Sequence, residues 1–391
     1  MRTNILTSIL DNDFYKFTMQ QGVITLFPYA KARYAFINRG KHAFPAGFAN
    51  VLRKAVDDMA LLQLSKQEKD FLRITCPYLS PVYLDFLEGY RYDPSEVKIT
   101  QERDQLHVSV EGAWYRTILW EVPLMSLICE LYYLSTNADR ISDEAVMERT
   151  RDKIENYLRL GVTVAEFGTR RRHSYAVHHL VMKALKEYGG GSFIGSSNVH
   201  MAMLYQTKPI GTHAHEWFMF HAARYGVKMA NALGLEHWTQ VYRGDLGIAL
   251  SDTYTTEVFF RQFDKMFSKL FDGVRHDSGD PLLFADKVIA HYQQMGIAPT
   301  TKSIIFSDAL NYDKVARIAA HCRNRIGMSF GIGTSLTNDA GPAAMNIVIK
   351  MTAACPEGEG WTPVVKLSDE HGKYTGDEQA IALAKAILEI D

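Results

Sequence analysis

The sequence predicts an α/β protein, an irregular TIM-like β/α barrel joined to an N-terminal α+β sandwich-like domain. Three observations carry that prediction. From about Ser142 onward, short apolar runs recur and each ends in a polar cluster. Helical patterns lie between most of these runs, as parallel β/α units require. Before that point, strand-like runs are broken up by helices and show no such recurrence.

Taken in order, Asp11 to Phe27 reads as a helix, with Asp11 or Asp13 near its start to accept free amide hydrogens. Ala32 to Ile37, Val97 to Thr100 and Leu106 to Val110 read as strands. Asp143 to Leu160 is a charged amphipathic helix. The recurring runs are Val162 to Ala165, Gly191 to Gly195, Leu246 to Leu250, Phe271 to Val274, Ser303 to Phe306, Ile326 to Phe330, and Asn346 to Ile349. Helices are expected over Tyr175 to Tyr188, Trp217 to Arg224, Leu283 to Met295 and Asp313 to His321. So many polar strand ends in series favour a barrel, where functional residues gather at the strand ends. An open sheet would decorate only its switch point. The expected division is residues 1–135 for the sandwich-like domain and 136–391 for the barrel.

The composition suits a globular protein: 391 residues, 47% hydrophobic and 22% charged, with a formal net charge of −1. Nothing global steers such a chain to nucleic acid or an anionic membrane, so anionic ligands must find local cations. Four scattered cysteines without a C-x-x-C motif fit reduced thiols and a cytoplasmic setting. The N-terminus lacks the pattern of a secretory signal, and no membrane span is expected.

Several segments invite chemistry, each beside a plainer reading. In Phe330 to Thr334 two glycines and a hydroxyl close an apolar strand; they suit a phosphate cradle or merely a tight turn. Arg275 to Pro281 packs an arginine, a histidine and two carboxylates between strand and helix, costly to bury unless they face a barrel mouth. A solvated loop is the alternative. Carboxylates there suit ribose hydroxyls or Mg²⁺, and arginine suits an anion. Gly211 to Glu216 carries His213 and His215, which would point the same way on extended chain. Metal ligation is one reading; a nucleophilic or acid–base histidine is the other. Glu166 to Arg172 sets three arginines where a helix dipole would repel them, hinting at an anion, and Phe167 offers a stacking face. Tyr15 reads as a packing residue by composition alone.

Together these segments resemble the bacterial nicotinate phosphoribosyltransferase family. The carrying residues are Asp11 to Lys16 with Met19 to Gln21, Ile118 to Leu124, Glu166 to Arg172, Gly211 to Trp217, Leu246 to Asp252, Arg275 to Pro281, Phe306 to Asp308, Ser329 to Thr334 and Asn346 to Lys350. The resemblance implies a type II phosphoribosyltransferase fold, working as a homodimer with its active site at the interface. It implies transfer of phosphoribosyl from phosphoribosyl pyrophosphate (PRPP) to nicotinate with Mg²⁺, coupled to ATP hydrolysis through a phosphohistidine.

Carried onto this sequence, the phosphohistidine would be His215, with Arg275 and Asp277 as further catalytic residues. Glu216 is the neighbouring candidate to orient the His215 ring. Phe167 and Tyr15 would sandwich the pyridine ring, Tyr15 arriving from the partner subunit. Arg170 and Arg275 would hold the nicotinate carboxylate or PRPP phosphates. Asp277 and Asp308 would contact ribose hydroxyls or Mg²⁺. Thr212 and Ser307 join the substrate-binding set, and Gly331, Gly333 and Thr334 would cradle the 5′-phosphate. His213 departs from the glutamine often found there in the family. The acid-free strand end Ser196 to Asn198 fits an acidic substrate rather than nicotinamide. The alternatives are a nicotinamide-specific phosphoribosyltransferase, a metal-dependent hydrolase on the same barrel, and a non-catalytic nucleotide-binding paralogue.

Overall fold

A computed structural model describes residues 5–370 and 373–390. Its first sheet is antiparallel. Strands β1 (Lys31–Asn38), β2 (Val97–Glu102) and β3 (Gln105–Ala113) come from the N-terminal part. In β3 the residues alternate, with Leu106, Val108 and Val110 buried between exposed polar positions, as a half-covered sheet demands. The sheet is completed by β11 (Ile347–Cys355) and β12 (Thr362–Pro363), in the order β12-β11-β1-β3-β2. Phe36 stands opposite Ile349 and Ala35 opposite Lys350. The run ending at Lys350 was expected to continue the series of barrel-like strands. It belongs instead to this first sheet, because its alternating buried positions Ile347, Ile349 and Met351 complete the apolar face of β1.

The second sheet is parallel: β4 (Val164–Glu166), β5 (Phe193–Ser196), β6 (Lys208–Pro209), β7 (Ile248–Leu250), β8 (Gly273–His276), β9 (Ser303–Phe306) and β10 (Gly327–Ile332). Their order, β6-β5-β4-β10-β9-β8-β7, is that of a curled half-barrel left open between β6 and β7. The strands are short, and all three residues of β4 are buried, as a parallel sheet covered on both faces requires. Gly273 allows β8 to approach β9: a Cβ there would lie 2.0 Å from the Ser303 carbonyl oxygen. Helix Asp143–Leu160 starts on the Ser142 hydroxyl and stops at Gly161 in left-handed conformation (φ 68°), as its sequence implies.

Helix Phe14–Leu26 departs from expectation at its start. Neither Asp11 nor Asp13 caps it by a side-chain hydrogen bond. Asp11 is turned into a fork with Arg172 at 2.7 and 2.8 Å, and Asp13 accepts from Ser197 at 2.7 Å. Satisfying buried charge across the fold outweighs a local cap. Trp114, Phe220, Phe27 and Trp217 then join this helix to the first sheet and to the barrel, with Trp114 stacked on Phe220 at 4.3 Å. The helical stretch Trp114–Ser135, 22 residues of hydropathy 1.3, passes for a membrane span by length and composition. Its most apolar window is 83% buried within the fold, the position of a core helix.

Candidate active site

The ends of β4, β8, β9 and β10 open with the start of helix Phe14–Leu26 onto a cavity of about 580 Å³. The loop after β4 is pinned at both ends. Glu166 is fully buried and accepts from the Gly168 amide, from Ser196 Oγ at 2.5 Å, and lies 3.0 Å from His178 Nε2. Burial would push its carboxyl up, but these partners hold it below the ordinary value. At the far end, Arg172 carries the fork to Asp11. Between the pins, Phe167 and Arg170 face the cavity. Gly331 seats the Phe167 ring, since a Cβ at 331 would stand 3.2 Å from Phe167 Cδ2. A Cβ at Gly333 would come within 3.0 Å of the Phe167 carbonyl oxygen. Gly331, Gly333 and Thr334 all border the cavity, but the two glycines also make room for that ring.

Tyr15 borders the cavity of its own chain. Two contacts place it there. The Phe14 amide donates to the Ser197 carbonyl at 2.7 Å, and the Gly211 backbone lies directly against Tyr15.

Helix His215–Tyr225 begins two residues earlier than its sequence suggested, and this parts the two histidines. His213 turns away from the cavity into aromatic edges, 4.8 Å from Trp238 and 5.1 Å from Phe218. Neither of its ring nitrogens has a hydrogen-bond partner among the described residues, and the cluster of metal-capable side chains around His215 does not include it. His215 borders the cavity at the first helical residue, with Nε2 2.9 Å from Asp277 Oδ2 and Nδ1 3.0 Å from Thr253 Oγ1. Burial first, then the Lys366 ammonium, lowers its pKa to about 4 against the pull of Asp252 and Asp277. Burial alone would raise Asp277, yet the His215 hydrogen bond and the Arg275 charge hold it well below the carboxylate range. A carboxylate can only accept, so the neutral ring donates from Nε2 and takes the Thr253 hydroxyl on Nδ1. Glu216, expected to orient this ring, contacts Lys16 and Tyr34 instead.

Arg275 donates to the His213 carbonyl at 3.1 Å, and its Nε has no partner among the described residues. Ser307 donates to Asp277 at 2.8 Å, while Asp308 lies 3.5 Å from Lys373. All four border the cavity. Thr212 does not. Its hydroxyl donates to the Ile248 carbonyl at 3.1 Å, bridging the open seam between the β6 segment and β7. Ser196, Ser197 and Asn198 are buried and hydrogen-bonded to Glu166, Asp13 and Asp11.

His215, Asp252 and Asp277 bring ligand atoms within 4.8 Å of one another. Lys366 lies 3.4 Å from Asp252 and 4.0 Å from Asp277, so an ammonium already balances much of their charge. Asp277 and Asp308 both border the cavity, each with an ammonium near it, Lys366 at 4.0 Å and Lys373 at 3.5 Å, and their carboxylates are oxygen donors of the kind Mg²⁺ takes. The sequence reading missed Thr253, Lys366 and the Lys16 pairing. Thr253 and Asp252 stand in the polar cluster after β7, a signal noted without a role; Lys366 carries no motif.

The sequence profile of the nicotinate phosphoribosyltransferase (NAPRTase) family matches residues 162–391, and that of its N-terminal domain matches residues 10–129. The chain belongs to the nicotinate phosphoribosyltransferase family. A nicotinate phosphoribosyltransferase from Chromohalobacter salexigens is 64% identical over 98% of each chain. One from Desulforapulum autotrophicum is 47% identical over 98% of this chain and 99% of its own. The crystal structure of the nicotinate phosphoribosyltransferase of Porphyromonas gingivalis superposes with a TM-score of 0.96 at 44% identity, over 99% of this chain and 100% of that one. That from Vibrio cholerae gives 0.93 at 34% identity, over 100% and 95%. The protein is therefore an enzyme, a phosphoribosyltransferase of pyridine nucleotide biosynthesis.

Proposed function

We propose that this nicotinate phosphoribosyltransferase makes nicotinate mononucleotide from nicotinate and PRPP, and spends ATP through a phosphohistidine at His215. The observation that carries the coupling is the neutral His215 imidazole, held between Asp277 and Thr253 at the cavity wall.

In the transfer, the bond from the ribose anomeric carbon to pyrophosphate oxygen breaks, and the pyridine nitrogen forms the new bond to that carbon. Pyrophosphate leaves with the electron pair. The pyridine nitrogen is already nucleophilic, so positioning supplies much of the acceleration and no strong base is required. Phe167 and Tyr15 border the space for a flat ring, and Arg170 and Arg275 supply cations for its carboxylate and for PRPP phosphates. Gly331, Gly333 and Thr334 take the 5′-phosphate; Ser307, Asp277 and Asp308 take the ribose side. Mg²⁺ between Asp277, Asp308 and substrate would neutralise charge on the departing pyrophosphate. Arginines and lysines along the cavity favour an acid over an amide substrate.

For the ATP step, the Thr253 hydroxyl can accept from Nδ1 as readily as donate to it, so the ring proton can shift to Nδ1. Nε2 then offers its lone pair beside Asp277. The Nε2–phosphorus bond forms, the bond from the γ-phosphorus to its bridging oxygen breaks, and ADP leaves with the electrons. The pKa near 4 keeps the ring unprotonated well below the usual histidine range. Incorporation of γ-phosphate into the protein should therefore hold level from pH 8 to about pH 5. A fall centred at the ordinary histidine pKa, about 6.5, would contradict this environment for the ring. Four free thiols, three of them buried, suit a cytoplasmic enzyme, and the family resemblance supports a homodimer.

The test of the whole reading mixes purified protein, nicotinate, PRPP and Mg²⁺ with and without ATP, and follows nicotinate mononucleotide and ADP by chromatography. Product that rises with ATP, with ADP formed alongside, is expected. Nicotinate mononucleotide made equally without ATP would remove the coupling; no product would remove the reading.

A further inference from the structure

Two neighbouring pairs in the chain, Tyr15-Lys16 and His215-Glu216, each set a cavity residue beside a buried charge. The Lys16 side chain has no exposed surface. Its ammonium contacts Glu216 and lies 2.6 Å from Glu121 Oε2. The Tyr34 hydroxyl donates to the other Glu216 oxygen at 2.6 Å. The other oxygen of Glu121 is 3.5 Å from Arg170 Nη1. A line of alternating charges thus runs from the neighbour of His215 in the chain to the cavity arginine, as Glu216, Lys16, Glu121 and Arg170, with His215 at one end of the path and Arg170 at the other. The reaction as derived above uses none of the middle three.

We propose that Lys16 is a positioning residue that transmits the phosphorylation state of His215 to the pyridine end of the cavity, through Glu216, Glu121 and Arg170. This deepens the reading of His215 as a phosphohistidine and rests on it. One ammonium shared by two carboxylates cannot serve both fully, so a change at one is felt at the other. A phosphoryl group carries a charge of about −1.5 to −2. Placed on His215, it adds negative charge beside Glu216 and draws Lys16 to that side. Glu121 then turns its charge onto Arg170 and fixes that guanidinium, beside Tyr15 and Phe167, for the nicotinate carboxylate. Lys16 has no exposed surface and Glu121 and Glu216 little, so this inner part of the relay is weakly screened and a single shared cation is an effective link.

The experiment measures KM for nicotinate with and without ATP, together with incorporation of γ-phosphate, in wild type, Lys16→Met, Lys16→Arg and Glu216→Gln. In wild type, ATP should lower KM for nicotinate by about 5-fold or more, the low end of an allosteric coupling. Lys16→Met should take up phosphate on His215 and make product slowly, with the same KM whether ATP is present or not. Lys16→Arg, which keeps the cation, should recover part of the ATP effect. Glu216→Gln keeps the neighbouring hydrogen bonds at reduced charge, and should blunt the effect even where Lys16→Met folds poorly. A full ATP-induced drop in KM in Lys16→Met or in Glu216→Gln, with wild type labelled normally, overturns this link alone. Absence of label in wild type overturns the phosphohistidine and the link together.

Discussion

Replacing His215 with alanine is expected to abolish the stimulation by ATP and leave a slow, ATP-independent synthesis of nicotinate mononucleotide. The residues proposed to hold the pyridine ring and the PRPP phosphates lie on other elements, so their positions do not depend on the imidazole. What disappears is the group that receives the γ-phosphate. A coupling free energy of about 1–3 kcal/mol, or roughly 5–150-fold in rate or affinity, should vanish with it. Alanine also strips Asp277 of a donor and Thr253 of its partner, which could disturb the cavity for unrelated reasons. His215→Gln controls for this, because its amide reaches about as far as Nε2 and can still donate to Asp277, but makes no stable phosphoryl adduct. Both variants should release no ADP in step with product. ATP hydrolysis that continues to track product formation in either one would sink the assignment of His215.

The second large effect is on stability. Arg172→Met removes the guanidinium that forks onto Asp11, where both side chains have no exposed surface. Breaking a buried pair leaves an unpaired charge and typically costs about 3–5 kcal/mol, which denaturant titration would read directly. The pH dependence gives the cause away. In the wild type, burial pushes the Asp11 carboxyl up, but Arg172 and Asn198 outweigh it and hold it below its ordinary value. A depressed folded pKa stabilises above the unfolded pKa, and that stability is lost as pH falls through the folded value. Without Arg172 only burial and weaker partners remain, and the folded pKa should rise above the unfolded one. The variant should then gain stability on acidification from pH 7 to pH 5, where the wild type does not. Asp11→Asn in the same background should recover much of the loss at pH 7. A variant as stable as the wild type, with an unchanged pH profile, would show that the fork contributes little.

The parallel strands were legible because each ends a short apolar run in a polar cluster, and that signal is local. It found every parallel strand except β6, which at two residues is too short to leave a pattern. The same signal misplaced the run ending at Lys350. An apolar stretch before a lysine looks alike in either sheet, and only its pairing with β1 decides which. At the site, the residues found were those in dense motifs: the Phe167 loop, the Arg275 cluster, the β10 glycines. His213 was misjudged because the rule for alternate residues holds in extended chain, and the helix begins at His215. Lys16 and Glu216 are 200 positions apart, and nothing in either neighbourhood announces the partner. Long-range charge pairing of that kind is set by the packing of helix against helix, which a periodicity cannot encode.

The return of β11 to the first sheet has a further meaning for how the molecule comes into being. β1, among the earliest segments to leave the ribosome, finds one neighbour in β3 but must wait for residues 347–355 before its other edge is covered. At about 5–20 residues per second, synthesis of the intervening chain takes tens of seconds. Throughout that interval the nascent chain carries an open strand edge, a template for association with other chains. Contacts this distant in sequence also slow the search for the native arrangement. The two sheets therefore do not mature one after the other: β10, at the centre of the parallel sheet, and β11, which finishes the first sheet, both come from the last part of the chain to be made.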